Sequence, residues 1–401
     1  MLWQKKRLDE VCHFTNGLWK GEKPPFVTVG VIRNTNFTKD GTLDDAEIAY
    51  IEVEARKFEK RRLQFGDIIL EKSGGGPKQP VGRVALFDKE DGDFSFSNFT
   101  AALRVKDANE LDFRFLHKCL FWIYQSGVTE EMQSHSTGIR NLDGDAYKSV
   151  EVSYPPLSEQ QRIVRLLDEA FAGIATAKAN AEKNLQNARA IFESHLNDVF
   201  SKKGEGWVEK TLEEVSTTFG RGKSKHRPRN APHLYGGKYP FVQTGDIRNA
   251  DHTITEYSQT YSEAGLAQSK LWPKGTICIT IAANIAETAI LGFDACFPDS
   301  VIGVVANLKE AEVGFIEYLL QSFKARIQAM GKGSAQANIN MGTFEHERFP
   351  FPPVAEQKRI VALLDTLSTE TRRLEAIYQQ KQAALEALKK SLLHQAFAGE
   401  L

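Results

Sequence analysis

The chain has 401 residues, 41% of them hydrophobic and 26% charged, with a formal net charge of −1. That is enough apolar mass for two or three globular domains. It excludes a polycation, so any nucleic-acid binding must come from local patches or from partners. Cys12, Cys119, Cys278 and Cys296 form no C-x-x-C pair, so buried free thiols are expected rather than a zinc site or a disulfide framework. Met1 to Arg7 lead into no apolar run, and no stretch of 18 apolar residues occurs; a cytoplasmic chain without a membrane span is expected.

In chain order, Trp3-x-x-Lys6-x-Leu8 opens the sequence, and Pro25-Phe26-Val27-x-x-Gly30-x-Ile32-Arg33-Asn34 follows. Gly66-Asp67-Ile68-Ile69-Leu70 and Val81 to Phe87 are short β-branched runs near turn glycines, predicted as strands. Phe115, Leu116, Leu120 and Ile123 predict a helix over 113–126. Pro155-Pro156 ends a strand, and a long helix follows in which Ile163, Leu167 and Ile174 take alternating steps of three and four. Ser158 with Gln161 predicts a capping box at its start. The order then repeats: Trp207-x-x-Lys210-x-Leu212, Pro240-Phe241-Val242-x-x-Gly245-x-Ile247-Arg248-Asn249, strands at 275–280 and 289–293, and a helix over 313–330. A second long helix carries Ile360, Leu364, Leu367, Leu374, Leu385 and Leu388 at heptad-like spacing.

The two long helices share a preface. Pro155 to Asp168 recurs as Pro352 to Asp365, 197 residues later, with ten of fourteen positions identical. Four segments follow: a globular part over 1–154, a long helix in 155–203, a globular part over 204–351 and a long helix in 352–401. About 43 residues at 1.5 Å each make helices of roughly 60 Å. One such helix would expose an apolar stripe, whereas two cover each other, most simply as an antiparallel coiled-coil pair related by a pseudo-two-fold. The expected fold is α/β: two similar domains separated by the paired helices.

No catalytic constellation is present in the sequence. Ser73-Gly74-Gly75-Gly76-Pro77-Lys78 lacks the Gly-Lys-Ser/Thr of a phosphate-binding loop, and Gly220 to Ser224 has Thr217 where that loop needs glycine. Tyr154-Pro155-Pro156-Leu157 lacks both the polar first residue and the aromatic last residue that flipped-base methylation requires. The remaining signals are binding signals. Between Val215 and Gly245 there are six cations, Arg221, Lys223, Lys225, Arg227, Arg229 and Lys238, and no acid. A loop of this kind suits phosphates and guanine edges. In the first half, Lys72, Ser73, Lys78, Gln79 and Arg83 surround the glycines. Arg56, Lys57, Lys60, Arg61 and Arg62 form a run diluted by Glu54 and Glu59, which is equally well a helix surface. A polar turn with Arg140 and Asn141 matches one with Asn338; this amide either holds a strand-to-helix junction or reads an adenine.

The doubled Pro-Pro-x-x-Glu-Gln-x-Arg-Ile-Val preface, the two related globular parts and the Leu392 to Leu401 ending together resemble the specificity subunits of type I restriction-modification systems. The resemblance spans essentially the whole chain. It implies two target recognition domains, each reading one half of a split, asymmetric sequence in double-stranded DNA, with the helix pair as spacer. It also implies two methyltransferase subunits docked around the spacer and restriction subunits as a further addition. S-adenosylmethionine would then lie on the methyltransferase partner, and ATP with Mg on the restriction partner. This chain would bind no cofactor or metal and catalyse nothing. The alternative is a coiled-coil scaffold that binds proteins without reading DNA. Base-contacting residues do not transfer by motif, so the candidate DNA contacts rest on charge and loop chemistry. The candidate helix-pair or partner contacts are Ile163, Leu167, Ile174 and the six apolar residues of the second helix.

Overall fold

The computed structural model describes the chain except for residues 1–2, 20, 77–78, 137–138, 283–284 and 332–338, and leaves undescribed the side chains at 135, 136, 330 and 331. Lys78 and Asn338 therefore lie outside the described residues. Two compact units result. The first comprises Met1–Ala181 with Gln380–Leu401, the second Glu182–Gln379. Each unit holds one globular part and a portion of both long helices.

The first unit is built on an antiparallel sheet in the order Cys12–Asn16, Thr100–Val105, Ile68–Glu71, Val84–Leu86. The second repeats it with Ser216–Arg221, Val301–Ala306, Ile277–Thr280 and Thr288–Leu291, and adds Thr253–Ile254 at one edge. These strands are rich in buried Ile, Val, Leu and Ala, as expected where both sheet faces are covered. In the first unit the helix Phe113–Gln125 starts where the Asp112 side chain accepts from the amides of Arg114 and Phe115, and it buries Phe115, Leu116, Leu120 and Ile123. Glu312 caps Val313–Ser322 likewise, accepting from the Phe315 amide. The single helix expected over 313–330 is divided at Phe323, whose ψ near 1° leaves helical geometry and whose ring packs edge-on against Phe349 at 5.4 Å; Lys324–Gly331 then resumes.

The sequence echo at Pro25 and Pro240 does not survive as structure. Phe26–Ile32 is a strand, whereas Thr244–Asn249 is a short helix at whose start the Gln243 amide donates to Asp246 Oδ2 (2.8 Å). A Cβ on Gly30 would strike the Phe94 ring at 2.6 Å, whereas one on Gly245 would meet nothing within 4 Å. The two glycines thus answer different needs.

Short two-stranded ribbons join each globular part to its helix: Gln4–Arg7 with Glu151–Tyr154, and Val208–Lys210 with Phe349–Phe351. The repeated lysines lie on these ribbons, Lys6 pairing with Glu110 and Lys210 with Glu310 at 2.5 Å. The helices Leu157–Ser201 and Val354–Ala398 start directly after Pro-Pro. Ser158 consequently sits inside the first turn, not ahead of it, so the expected capping box does not form. The preface serves a different bond set. Gln160 is fully buried; its Nε2 donates to the carbonyls of Glu110 (2.9 Å) and Pro155 (2.8 Å), and its Oε1 accepts from the Asp112 amide (2.8 Å). Gln357 repeats this with Glu310 (3.1 Å), Pro352 (2.8 Å) and Glu312 (2.9 Å). One glutamine thus ties each long helix to the cap of its domain's own helix and satisfies three backbone groups that burial would otherwise leave unpaired.

Within each unit the helix portions run antiparallel. In the first, Arg162 donates to the Leu401 carbonyl (2.9 Å) while Lys178 pairs with Glu386. In the second, Arg189 pairs with Glu375 (3.1 Å), and Leu196 and Phe200 share a core with Ile360 and Leu364. Ile163, Leu167, Ile174, Ile360 and Leu364 are buried as expected, and Leu367 and Leu385 are half-buried. Leu374 and Leu388 do not face the seam; they are 39% and 47% exposed. Ser368 and Thr371 are buried instead. The seam keeps a repeat of seven: Leu167, Ile174, Ala181 and Ala188 are buried on one helix, and on the other Leu364, Thr371, Tyr378, Leu385 and Leu392 are buried or half-buried. A repeat of seven is the pattern of a coiled coil, and Leu374 and Leu388 fall outside it.

Candidate nucleic-acid interface

In the first unit the glycine loop and the polar turn, 68 residues apart, form one small sheet. Ser73–Gly75 pairs with Ile139–Leu142, Asn141 lies opposite Ser73, and Ser73 Oγ donates to Asn141 Oδ1 at 2.5 Å. Asn141 Oδ1 is thus engaged between two strands of this sheet. Lys72 Nζ donates to Asn16 Oδ1 (2.9 Å), and burial draws its pKa below the usual lysine value. Arg83 is committed to the fold: its guanidinium grips the buried Glu71 through two bonds (2.7 and 2.9 Å) and donates to the Asn34 carbonyl (3.0 Å). Gln79, with its amide turned to match the donors, accepts from Arg83 at 2.8 Å. Arg140 reaches Gln133 Oε1 at 3.4 Å. In the basic run, Arg56 and Lys57 lie on the short helix Ala55–Glu59. Arg61 donates to the Asn16 carbonyl (3.0 Å), and Arg62 pairs with Asp93 (2.7 Å).

In the second unit the acid-free loop is neutralised from a distance. Asp299 receives Arg229 through both carboxylate oxygens at 2.8 Å, and its backbone carbonyl accepts from Arg221 Nε at 2.8 Å. Arg227 donates to the carbonyls of Ser224 (2.7 Å) and His226 (2.9 Å), and Lys238 pairs with Glu263 (3.1 Å). Lys223 and Lys225 are exposed and, among the described residues, have no acidic partner. Burial first, and then the charge of Lys223, lowers the pKa of Lys270, whose ammonium lies 3.6 Å from the Trp272 ring centre. Lys270 thus extends the cationic surface beyond the loop that sequence reasoning selected, and only the fold reveals this.

Lys72 and Ser73 in the first unit, and Arg221 and Arg229 in the second, meet the same turn of the shared sheet. In the first unit the turn at Ser97 to Thr100 is pinned by the Gly17 amide on the Thr100 carbonyl (3.2 Å) and the Lys72 amide on the Phe99 carbonyl (2.9 Å). In the second, the Gly222 amide binds the Val301 carbonyl (2.9 Å) and the Ile281 amide the Ser300 carbonyl (3.0 Å). The glycine is required in each. A Cβ on Gly17 would stand 1.7 Å from the Ser97 carbonyl oxygen, and one on Gly222 would stand 2.4 Å from those of Phe297 and Pro298. The frame is common and the tips differ: Asn98 and Phe99 in one, Asp299 with its two arginines and Ser300 in the other.

A duplicated α/β protein with matching frames, divergent polar and cationic tips and paired long helices defines a two-part recognition protein. The sequence model of the type I restriction modification DNA specificity domain matches residues 2–186 and again 204–386. The chain is 21% identical over 421 residues to a protein described as the MjaX type I restriction enzyme specificity subunit of Methanocaldococcus jannaschii, covering 100% of this chain and 93% of that one. Its fold is like that of a chain from a solved type I R-M system (TM-score 0.81, 20% identity, 100% and 98% covered). It is also like the HsdS subunit from Thermoanaerobacter tengcongensis (TM-score 0.66, 20% identity, 100% and 97% covered). The chain belongs to the type I restriction-modification DNA specificity family. Its role is DNA sequence specificity in such a system. No described helix is long and apolar enough to cross a membrane.

Proposed function

We propose that this chain reads a split, asymmetric sequence in double-stranded DNA, one half per unit, and positions two methyltransferase subunits for adenine methylation without catalysing a step itself. The observation that carries this reading is the doubled frame with unlike tips: the same turn and sheet order occur twice, but Asn98 and Phe99 present different chemistry from Asp299 and Ser300. Like frames suit two similar tasks, and unlike tips suit two different half-sites. The helices support the partner count. Leu166 and Leu388 are exposed in the first unit (41% and 47%), and Leu363 and Ile191 in the second (53% and 51%). Leu363 and Leu388 are the copies, 197 residues on, of Leu166 and Ile191. Each unit thus offers the same apolar pair to a partner, which suits two copies of one subunit. S-adenosylmethionine then belongs to the methyltransferase, and ATP with Mg to restriction subunits that join the assembly. Methylome sequencing of cells expressing the chain with its methyltransferase tests the reading: modified adenines should lie in a two-part motif with a fixed gap. A continuous motif, or an absence of specific duplex binding, favours a protein-binding scaffold instead.

A further inference from the structure

We propose that Phe99 is a specificity-determining residue of the first unit and makes apolar contact with a thymine methyl group in that unit's half of the DNA sequence; this rests on the DNA-reading function proposed above. Single exposed hydrophobic residues are ordinary on protein surfaces, so exposure alone is no argument. Three further observations single out Phe99. Its turn is rigid: besides the two amides already described, the Ser73 amide also binds the Phe99 carbonyl (3.2 Å), the Ser97 amide binds the Ile32 carbonyl (2.9 Å), and Thr100 Oγ1 binds the Ser97 carbonyl (2.8 Å). The ring is nevertheless 44% exposed. A side chain held out by a pinned backbone loses little freedom on binding.

Its surroundings are those of a nucleic-acid contact. Lys72 and Ser73 follow directly on the strand that holds the turn, and Gly74 lies below the ring. Gly74 has φ of +101°, which favours glycine, and a Cβ there would stand 3.8 Å from the Phe99 ring and 2.9 Å from Asn34 Nδ2. The small residue keeps the approach to the ring open. Third, the register of the two sheets, Glu71 opposite Thr100 and Thr280 opposite Val301, sets Phe99 against Ser300 of the second unit, whose carbonyl is held by the Ile281 amide in the same way. The position varies in chemistry while its support is retained, as a discriminating position should. A phenyl ring neither donates nor accepts a conventional hydrogen bond. The apolar feature that distinguishes one base pair from another in the major groove is the thymine methyl.

The test uses the full chain with its methyltransferase, as wild type, Phe99→Ala and Phe99→Leu. Methylome sequencing reports the motif, and duplexes with deoxyuridine at single thymine positions report the methyl contact by their Kd. In the wild type, one such replacement in one half-site should weaken binding about fourfold, the contribution of one buried methyl group. Phe99→Ala should relax the motif at that same position, leave the other half-site and the gap unchanged, and abolish the deoxyuridine effect; Phe99→Leu should retain part of it. The unchanged half-site shows that the complex is intact. The proposal is overturned if Phe99→Ala keeps both half-sites with Kd within twofold, if the motif relaxes but deoxyuridine has no effect at any position, or if neither half-site contains an A·T pair. A wild type with no split motif refutes the functional reading instead.

Discussion

Replacing Gln357 by leucine tests the buried glutamine as the joint between helix and domain. Leucine keeps most of the volume and removes three hydrogen bonds, to the carbonyls of Glu310 and Pro352 and from the Glu312 amide. At roughly 1 kcal/mol net for each bond, the loss is about 3 kcal/mol, and more where the stranded group is shut away from water. Glu310 and Glu312 are half-buried and Pro352 is buried, so the Pro352 carbonyl carries the heaviest penalty. Gln357→Glu should cost more than leucine at neutral pH, because it sets a carboxylate against two carbonyl oxygens, and should recover partly in acid as the carboxyl gains a proton. Urea unfolding followed by the fluorescence of Trp207, which packs on Phe315 at 6.2 Å, reads the second unit. Hydrogen exchange at the Glu312 amide should accelerate by about 100-fold if the full 3 kcal/mol is lost locally. A loss below about 1 kcal/mol, or a Glu312 amide as protected as in the wild type, would refute the joint. Gln160→Leu should behave alike in the first unit, where the distances are 2.8 to 2.9 Å.

The two units should respond oppositely to mild acid. In the first, burial and then the charge of Lys118 push His117 down to about 4. The unfolded histidine titrates near 6.5, so stability falls between about pH 6.5 and 4, by up to roughly 3 kcal/mol. In the second, burial lowers the pKa of His252, but the hydrogen bond and charge of Glu317, with Asp365 adding, leave it above its usual value. That contribution is full below about pH 6.5 and is lost as pH rises through the raised folded value. Urea midpoints at several pH values should show both trends, and His117→Phe and His252→Gln should each flatten one of them. Lys223→Ala with Lys225→Ala should lower the slope of log K against log salt by about 1.8, if each contacts a phosphate; an unchanged slope would place both lysines in solvent. Inserting seven residues into each long helix should preserve the melting temperature, whereas inserting five should lower it by several degrees by breaking the seam.

Much of the architecture was open to sequence reading because it rests on local patterns. The long helices, the strands after Gly66 and Gly275 and the Phe113 helix all follow from periodicity and turn residues. The Pro-Pro preface is plain in the sequence, but the work of its glutamine is not, because two of its three partners lie 45 to 50 residues away. The site was less legible for the same reason. The loop from Arg221 to Lys238 looks uncompensated until Asp299 arrives from 70 residues beyond Arg229, and Arg83 looks free until the sheet brings Glu71 against it. Phe99 gave no signal as one aromatic among 25 phenylalanines; only the turn beneath it distinguishes it. The heptad is legible in the sequence, but steps of three and four do not fix which residues occupy it, and Leu374 and Leu388 lie outside the buried stripe.

The ion pairs between the two helices give them a means of telling self from copy. Lys178 and Glu375 are equivalent positions of the repeat, as are Arg189 and Glu386. The earlier helix holds the cation at both and the later one the anion, and each unit contains one of the resulting pairs. Two earlier helices paired in the same antiparallel register would set lysine against arginine twice, and two later ones would set glutamate against glutamate. Each exposed attraction amounts to only a few tenths of a kcal/mol, but its replacement by repulsion doubles the difference. Since the duplication, the two copies have become a matched couple. If the halves were made as separate chains, the mixed pair should form in preference to either like pair.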